Sequence, residues 1–318
     1  MRKPNTLVWL AVVALLGGIY FYETYHENQA RLLEQERKTL FEIKPSQVHE
    51  IRLEKATQAI VLKRRQRDEG DGWYIKKPVR AKADPKAVKE ILGTLTSLRY
   101  IRLISPGELE EMASFGLDRP QLAISLSHEN GRSTIAIGNK TPTGQSYYAK
   151  KEGRHEVFTI SDYAVALLDK GLFDLRNKRL FGISFGQVKE IFLWKGSKGW
   201  RFVKKKGQWY LEEPEKLPGA VIDQERISNI VRSFVEAEAL SFENDQDPAA
   251  FGLREPKAGA IIKAQGQREK LLFGDLVPGD ETRIYAKTAP KGLVVTVGTW
   301  LFREIPLHEN LFLATTRP

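Results

Sequence analysis

The sequence of 318 residues contains no cysteine. This excludes disulfides, thiol nucleophiles and zinc–thiolate sites together, and it is compatible with either side of a membrane. Histidine is scarce. The five residues His26, His49, His128, His155 and His308 never fall at an HxH or HExxH spacing. No GxSxG elbow is present, so serine hydrolysis of that kind has no support. Gly138-Asn139-Lys140-Thr141 lacks the GxxxxGK[ST] spacing of a phosphate loop, and it follows a strand into a hairpin where a phosphate loop would open a helix.

What is present is globular, with 42% hydrophobic and 28% charged residues. The formal net charge is +10, and only one unit of it falls within the first forty residues. A basic surface favours anionic partners such as phospholipid headgroups, wall polymers or nucleic acid; the plainer reading is a solubilising surface.

From Pro4 to Tyr22 no residue is charged, a stretch of about 19 residues that is just long enough to cross a hydrocarbon core as a helix. Arg2 and Lys3 precede it and a Glu-rich flank follows, so the positive-inside rule predicts a cytoplasmic N-terminus and residues 26–318 outside. A cleaved signal peptide is the main rival. It needs small residues where this chain has Tyr20-Phe21-Tyr22, which favours an uncleaved anchor. Asn28 to Leu40, rich in Glu, Gln, Arg and Leu, reads as a helical stalk.

The remainder repeats itself. Gln47-Val48-His49-Glu50-Ile51 is answered by Gln187-Val188-Lys189-Glu190-Ile191, Trp73-Tyr74-Ile75 by Trp209-Tyr210-Leu211, and Pro78 by Pro214. Phe115-Gly116-Leu117 is answered by Phe251-Gly252-Leu253, Ile137-Gly138 by Phe273-Gly274, and Tyr148-Ala149-Lys150 by Tyr285-Ala286-Lys287. Chance does not hold one nearly constant offset through so many blocks. The matched positions are aromatic, aliphatic, Gly and Pro, which are the residues of a fold and not of a reactive site. Period-two runs and turn signals predict strands βββ, two helices, ββββ and a last helix in each copy. Asp84 with Pro85 and Asp223 mark helix starts, and capping accounts for both acids without a catalytic role. Val88, Ile91, Leu92, Leu95 and Leu98 form the predicted apolar stripe of one long helix; Ile227, Ile230, Val231 and Phe234 form that of the other. Trp73 and Trp209 are expected to be mostly buried.

Two basic clusters are the candidate binding residues: Lys63, Arg64, Arg65 and Arg67 in the first copy, and Lys198, Arg201, Lys204, Lys205 and Lys206, beside Trp200, in the second. Cations interleaved with aromatics can track a nucleic-acid strand. An extracytoplasmic location argues against that and favours an anionic lipid or wall polymer. A solvated hairpin is the structural alternative.

The basic-then-apolar start through Tyr22, the Trp73-Tyr74-Ile75 and Pro78 block, Phe115-Gly116-Leu117 with Pro120, Ile137-Gly138 with Tyr148-Ala149-Lys150, and their second-copy partners carry a resemblance. On these residues the chain resembles the bacterial family known as domain of unknown function 4340, over nearly its whole length. The resemblance implies single-span membrane proteins with repeated external domains, similar to accessory components of ABC-type transporters of the gliding-motility-associated kind. It implies no catalytic residue. This chain has no second span and no nucleotide-binding motif, so it could not transport alone.

The sequence thus predicts an α+β protein: two tandem copies of an antiparallel-sheet-plus-helices domain behind one N-terminal transmembrane helix. The divisions are an anchor at 1–25, a stalk at 26–40, and domains at 41–175 and 176–318. The expected location is the inner membrane, with the bulk of the chain periplasmic or extracellular. The expected role is binding or scaffolding, as an accessory subunit beside an ABC-type permease and ATPase, with no catalysis, cofactor, metal or nucleic acid. A binder of anionic lipid or wall polymer is the alternative, and an envelope glycan or lipid enzyme a weaker one.

Overall fold

The computed structural model describes residues 15–16, 20–22, 24–25, 38–65, 72–104, 113–214, 221–243 and 247–313. Most of the expected membrane anchor and stalk therefore lie outside the described residues, as do Asp68 to Asp71, where the Asp and Gly residues predict a turn, and Glu108–Met112, where the sequence predicts a short helix. No helix among the described residues is long and apolar enough to cross a membrane. The chain divides into two compact units, Met1–Asn177 and Lys178–Pro318.

In the first unit the elements run β1 (Val48–Lys55), β2 (Gln58–Arg64), β3 (Trp73–Lys77), β4 (Ala81–Lys82), α1 (Pro85–Thr96), β5 (Arg102–Ile104), β6 (Leu122–His128), β7 (Gly131–Lys140), β8 (Ser146–Lys151), β9 (Val157–Ser161), α2 (Asp162–Leu168) and α3 (Leu172–Leu175). The strands form one antiparallel sheet in the order β4-β3-β2-β1-β6-β7-β8-β9-β5. Helix α1 thus connects one edge of the sheet to the other. It starts where the Asp84 carboxylate accepts from the Ala87 amide at 2.9 Å. Its Val88, Ile91, Leu92 and Leu95 are buried in one cluster with Leu53, Leu62, Ile124 and other inward strand residues. Lys38–Leu40, the end of the expected stalk, belong to this body. Thr39 bridges Arg99, and Leu40 is almost fully buried.

The second unit repeats the plan with β10 (Glu190–Lys195), β11 (Lys198–Lys205), β12 (Gln208–Glu213), α4 (Gln224–Glu236), β13 (Ser241–Glu243), β14 (Ala258–Ala264), β15 (Gln267–Val277), β16 (Asp280–Ala289), β17 (Val294–Gly298) and α5 (Thr299–Arg303). Its sheet order, β12-β11-β10-β14-β15-β16-β17-β13, is the first order without the two-residue edge strand. The registers agree pair by pair. Ile51 faces Leu62 and Leu126, as Ile191 faces Phe202 and Ile262; Ile137 faces Ala149, as Phe273 faces Ala286. Register shifts also recur, between Val61 and Leu62 as between Arg201 and Phe202, and after Ile137 as after Phe273. Asp223 caps α4 as Asp84 caps α1. The antiparallel, sheet-rich α+β class and the internal repeat are therefore features of the molecule.

Three local differences from the sequence expectation have physical reasons. The edge strands β5 and β13 were not anticipated, because three residues are too few to show a period. Trp209 is buried as expected, but Trp73 is only half-buried. Where β4 pairs with β3 in the first sheet, the Gln224 side chain in the second accepts from the Trp209 amide at 2.7 Å and donates to the Trp209 carbonyl at 2.9 Å. Trp200 does not lie open among cations: it is buried, and its indole N–H donates to the Pro306 carbonyl at 2.9 Å.

Candidate functional site

A strand exposes alternate residues on its two faces, so each sheet has a face turned away from its long helix. In the first sheet the positions on this face in β1, β6 and β7 are polar or small, and β2 places Val61 opposite Arg52. Arg52 and Glu54 form an ion pair at 3.2 Å, and the Ser125 and Thr134 hydroxyls meet at 3.1 Å between Ala123 and Ala136 on one side and Ser127 and Arg132 on the other. In the second sheet the equivalent positions are Phe192, Trp194, Ile261 and Lys270, with Gly259 and Leu272 in place of the two alanines. The same fold therefore carries a polar outer face once and an aromatic, apolar one once.

The geometry of the second face is specific. The Phe192 and Trp194 rings stack at 5.8 Å between centroids and 18° between planes. Each lies across a glycine of a neighbouring strand. A Cβ on Gly259 would overlap the Trp194 ring, and one on Gly199 would come within 2.9 Å of Phe192 Cζ. Without side chains there, the rings lie down on the sheet. They border a cavity of about 430 Å³, open to solvent, with Ile261 and Leu272 on its wall. Lys270 and Lys198 also line it. Among the described residues Lys270 has no ion-pair or hydrogen-bond partner, whereas Lys198 donates to the Leu307 carbonyl at 2.9 Å. Lys198 also borders a cavity of about 690 Å³ beyond it, lined by Trp200, Pro214, Leu307 and His308.

The predicted basic residues are distributed unevenly about these features. Arg67 lies outside the described residues. Lys63 pairs with Glu50 at 2.9 Å, Arg64 donates to the Ser46 carbonyl at 2.7 Å, and Arg65 lies over the Tyr74 ring at 5.9 Å. Arg201 sits above the Phe192 ring at 5.1 Å, held by Glu190 and by Glu213 at 3.0 Å. Lys204 lies over the Trp209 and Phe185 rings, Lys205 pairs with Glu212 at 2.8 Å, and Lys206 occupies the β11–β12 turn with φ 49°. The structure thus brings Arg201 to the aromatic face, holds Lys198 at the start of β11 on the Leu307 carbonyl, and leaves Lys204, Lys205 and Lys206 at the end of their hairpin. Sequence reasoning missed Phe192, Trp194, Ile261, Leu272 and Lys270. The signal was in the repeat: a comparison of Arg52-Leu53-Glu54 with Phe192-Leu193-Trp194 shows charge exchanged for aromatic on one side of a shared core leucine.

Glu190 anchors the edge of this face. Burial favours its neutral form, but hydrogen bonds from Lys263 and Arg201 and the charges of both outweigh this and hold the carboxyl below the usual 4.5. Glu50 is lowered in the same way: burial opposes the shift, and Lys63 with Arg52 and Arg132 overcomes it. A carboxyl lowered on folding contributes stability that is fully present above its unfolded value and is lost as pH falls through the folded value. The stability difference between the wild type and Glu190→Gln should therefore be constant above about pH 5 and shrink in more acid solution. Denaturation of both proteins across that range measures it; a gap that persists unchanged at the acid end contradicts the assignment.

The family model described as a domain of unknown function, DUF4340, matches residues 73–256 and again 209–316. The chain belongs to the DUF4340 family. The two DUF4340 matches begin at the equivalent residues Trp73 and Trp209, and the first runs on into the second copy. No curated protein and no solved structure matches the chain.

Proposed function

We propose that this DUF4340 protein is a binding and scaffolding protein of the cell envelope, held in the inner membrane by its N-terminal apolar run, and that it serves as an accessory subunit of an ABC-type transport complex. On this reading its second domain captures an anionic ligand, a lipid headgroup or polymer, for the complex. The observation that carries the reading is the difference between the two outer faces. The two copies of the fold share their core, long-helix caps and registers, while the outer face holds Arg52, Glu54 and Ser125 in one and Phe192, Trp194 and Ile261 in the other. Exposed apolar surface is unfavourable in water, and where it is maintained it marks an interaction. Among the described residues the carboxyls of Glu50, Glu190 and Asp280 are lowered beside cations or hydroxyls, which suits ion pairing more than acid–base catalysis.

Crosslinking in gently solubilised membranes should recover an ABC-type permease or its ATPase with the wild-type chain. Recovery of the chain alone, together with turnover of an envelope glycan or lipid that one carboxylate mutation abolishes, contradicts the reading and favours an enzyme. The double variant Phe192→Arg/Trp194→Glu installs the residues of the first sheet. It should remain folded and anchored but lose ligand capture.

A further inference from the structure

We infer that the outer face of the second sheet binds an acidic glycan, with one sugar ring laid on the Phe192–Trp194 platform and its carboxylate at Lys270. This rests on the reading above that the face captures an anionic ligand, and it names the ligand's class.

Three features of the face select the ligand. The first is flatness. The planes of Phe192 and Trp194 are only 18° apart, and Gly199 and Gly259 leave room for the rings against the sheet. Near-parallel rings laid over a sheet suit a ligand that is itself a flat-faced ring, whose C–H groups meet the negative ring faces. The second is openness. The cavity of about 430 Å³ is open to solvent along the sheet. An acyl chain needs most of its surface enclosed, which a wall on one side does not provide. A sugar keeps its opposite face and hydroxyls in water. The third is charge. Lys270 lines the cavity without a partner among the described residues, whereas Lys198, three strands away, is bonded to the Leu307 carbonyl. Lys287, opposite Leu272 in the next strand, extends the positive rim. Glu190 and Glu213 neutralise Arg201, so the face carries a few separated positive charges and no continuous basic track. A nucleic-acid strand, with a phosphate at every residue, calls for such a track. A polymer of sugar rings bearing scattered carboxylates matches both the platform and the rim.

The test uses the full-length chain in a non-ionic detergent, titrated calorimetrically with short oligogalacturonate, with malto-oligosaccharide as the neutral ring, and with inorganic phosphate and a single-stranded oligonucleotide as anions of other classes. Oligogalacturonate should bind saturably, and Trp194→Ala should weaken it about tenfold or more, the scale of one stacked ring. Lys270→Gln should bring its affinity down to that of malto-oligosaccharide, while Lys206→Gln, which removes the same charge at the hairpin turn, should leave binding unchanged. The inference is overturned if oligogalacturonate does not bind, if Trp194→Ala binds as wild type does, or if phosphate or the oligonucleotide binds more tightly. A chain that fails these titrations yet still crosslinks to a permease refutes the glycan without refuting the scaffold role; one that passes them without a permease does the converse.

Discussion

Trp209→Ala should destabilise the second domain by about 3–5 kcal/mol, the range for removing a large buried aromatic ring. Trp73→Ala should cost the first domain roughly half as much, because burial scales the loss. The two residues occupy the same place, each at the start of the third strand of its sheet, and each is followed by the equivalent proline, Pro78 or Pro214. What differs is cover. Trp209 is 2% exposed in a cluster with Phe202, Ile227 and Phe312, whereas Trp73 packs only at the margin of the first core. Chemical denaturation of each variant followed by far-ultraviolet circular dichroism measures the two losses. Equal losses would show that the repeat had kept the same environment at both positions.

Gly274→Ala should cost about 3 kcal/mol, and Gly138→Ala a similar amount. At both positions a Cβ would overlap a backbone carbonyl, that of Phe251 for Gly274 and that of Phe115 for Gly138. A backbone atom cannot swing aside as the end of a side chain can. The crossing is tight because the Phe115-Gly116-Leu117 loop is held against the sheet: the Asn139 amide donates to the Phe115 carbonyl at 2.7 Å, and the Phe115 ring meets Tyr148 at 4.6 Å. The second copy repeats the ring contact as Phe251 with Tyr285 at 4.4 Å. Gly93→Ala is the control. It lies exposed inside α1 with open space around its Cβ direction, and it should stabilise the first domain by about 0.5–1 kcal/mol. If all three substitutions behave alike, the steric argument fails.

These two predictions also show why the repeat blocks were legible. Phe-Gly-Leu, Ile/Phe-Gly and Tyr-Ala-Lys lie far apart in the chain, yet they form one contact: loop ring on strand ring, and loop carbonyl on strand glycine. Their matching spacing in both copies is the trace of that contact. The long helices were equally readable, because a cap and an apolar stripe are local features. The basic clusters were legible as charge but not as a site. Lys63 and Lys205 proved to be engaged by Glu50 and Glu212, partners whose approach depends on strand pairing.

By itself the sequence determined that one fold occurs twice, which side of each long helix is apolar, where the long helices begin, and that no thiol chemistry is available. These follow from periodicity, capping and composition, all carried by neighbouring residues. Tertiary structure alone decided that Phe192, Trp194, Ile261 and Lys270 share one face, that Gly199 and Gly259 let the rings lie flat, and that Trp200, one residue from Arg201, is inside the core instead. The reason is that a surface is assembled across strands. Phe192 and Lys270 are brought together by the register of β10 on β14 and β14 on β15, and a register is set by the whole sheet against its helix and not by the residues that it brings together.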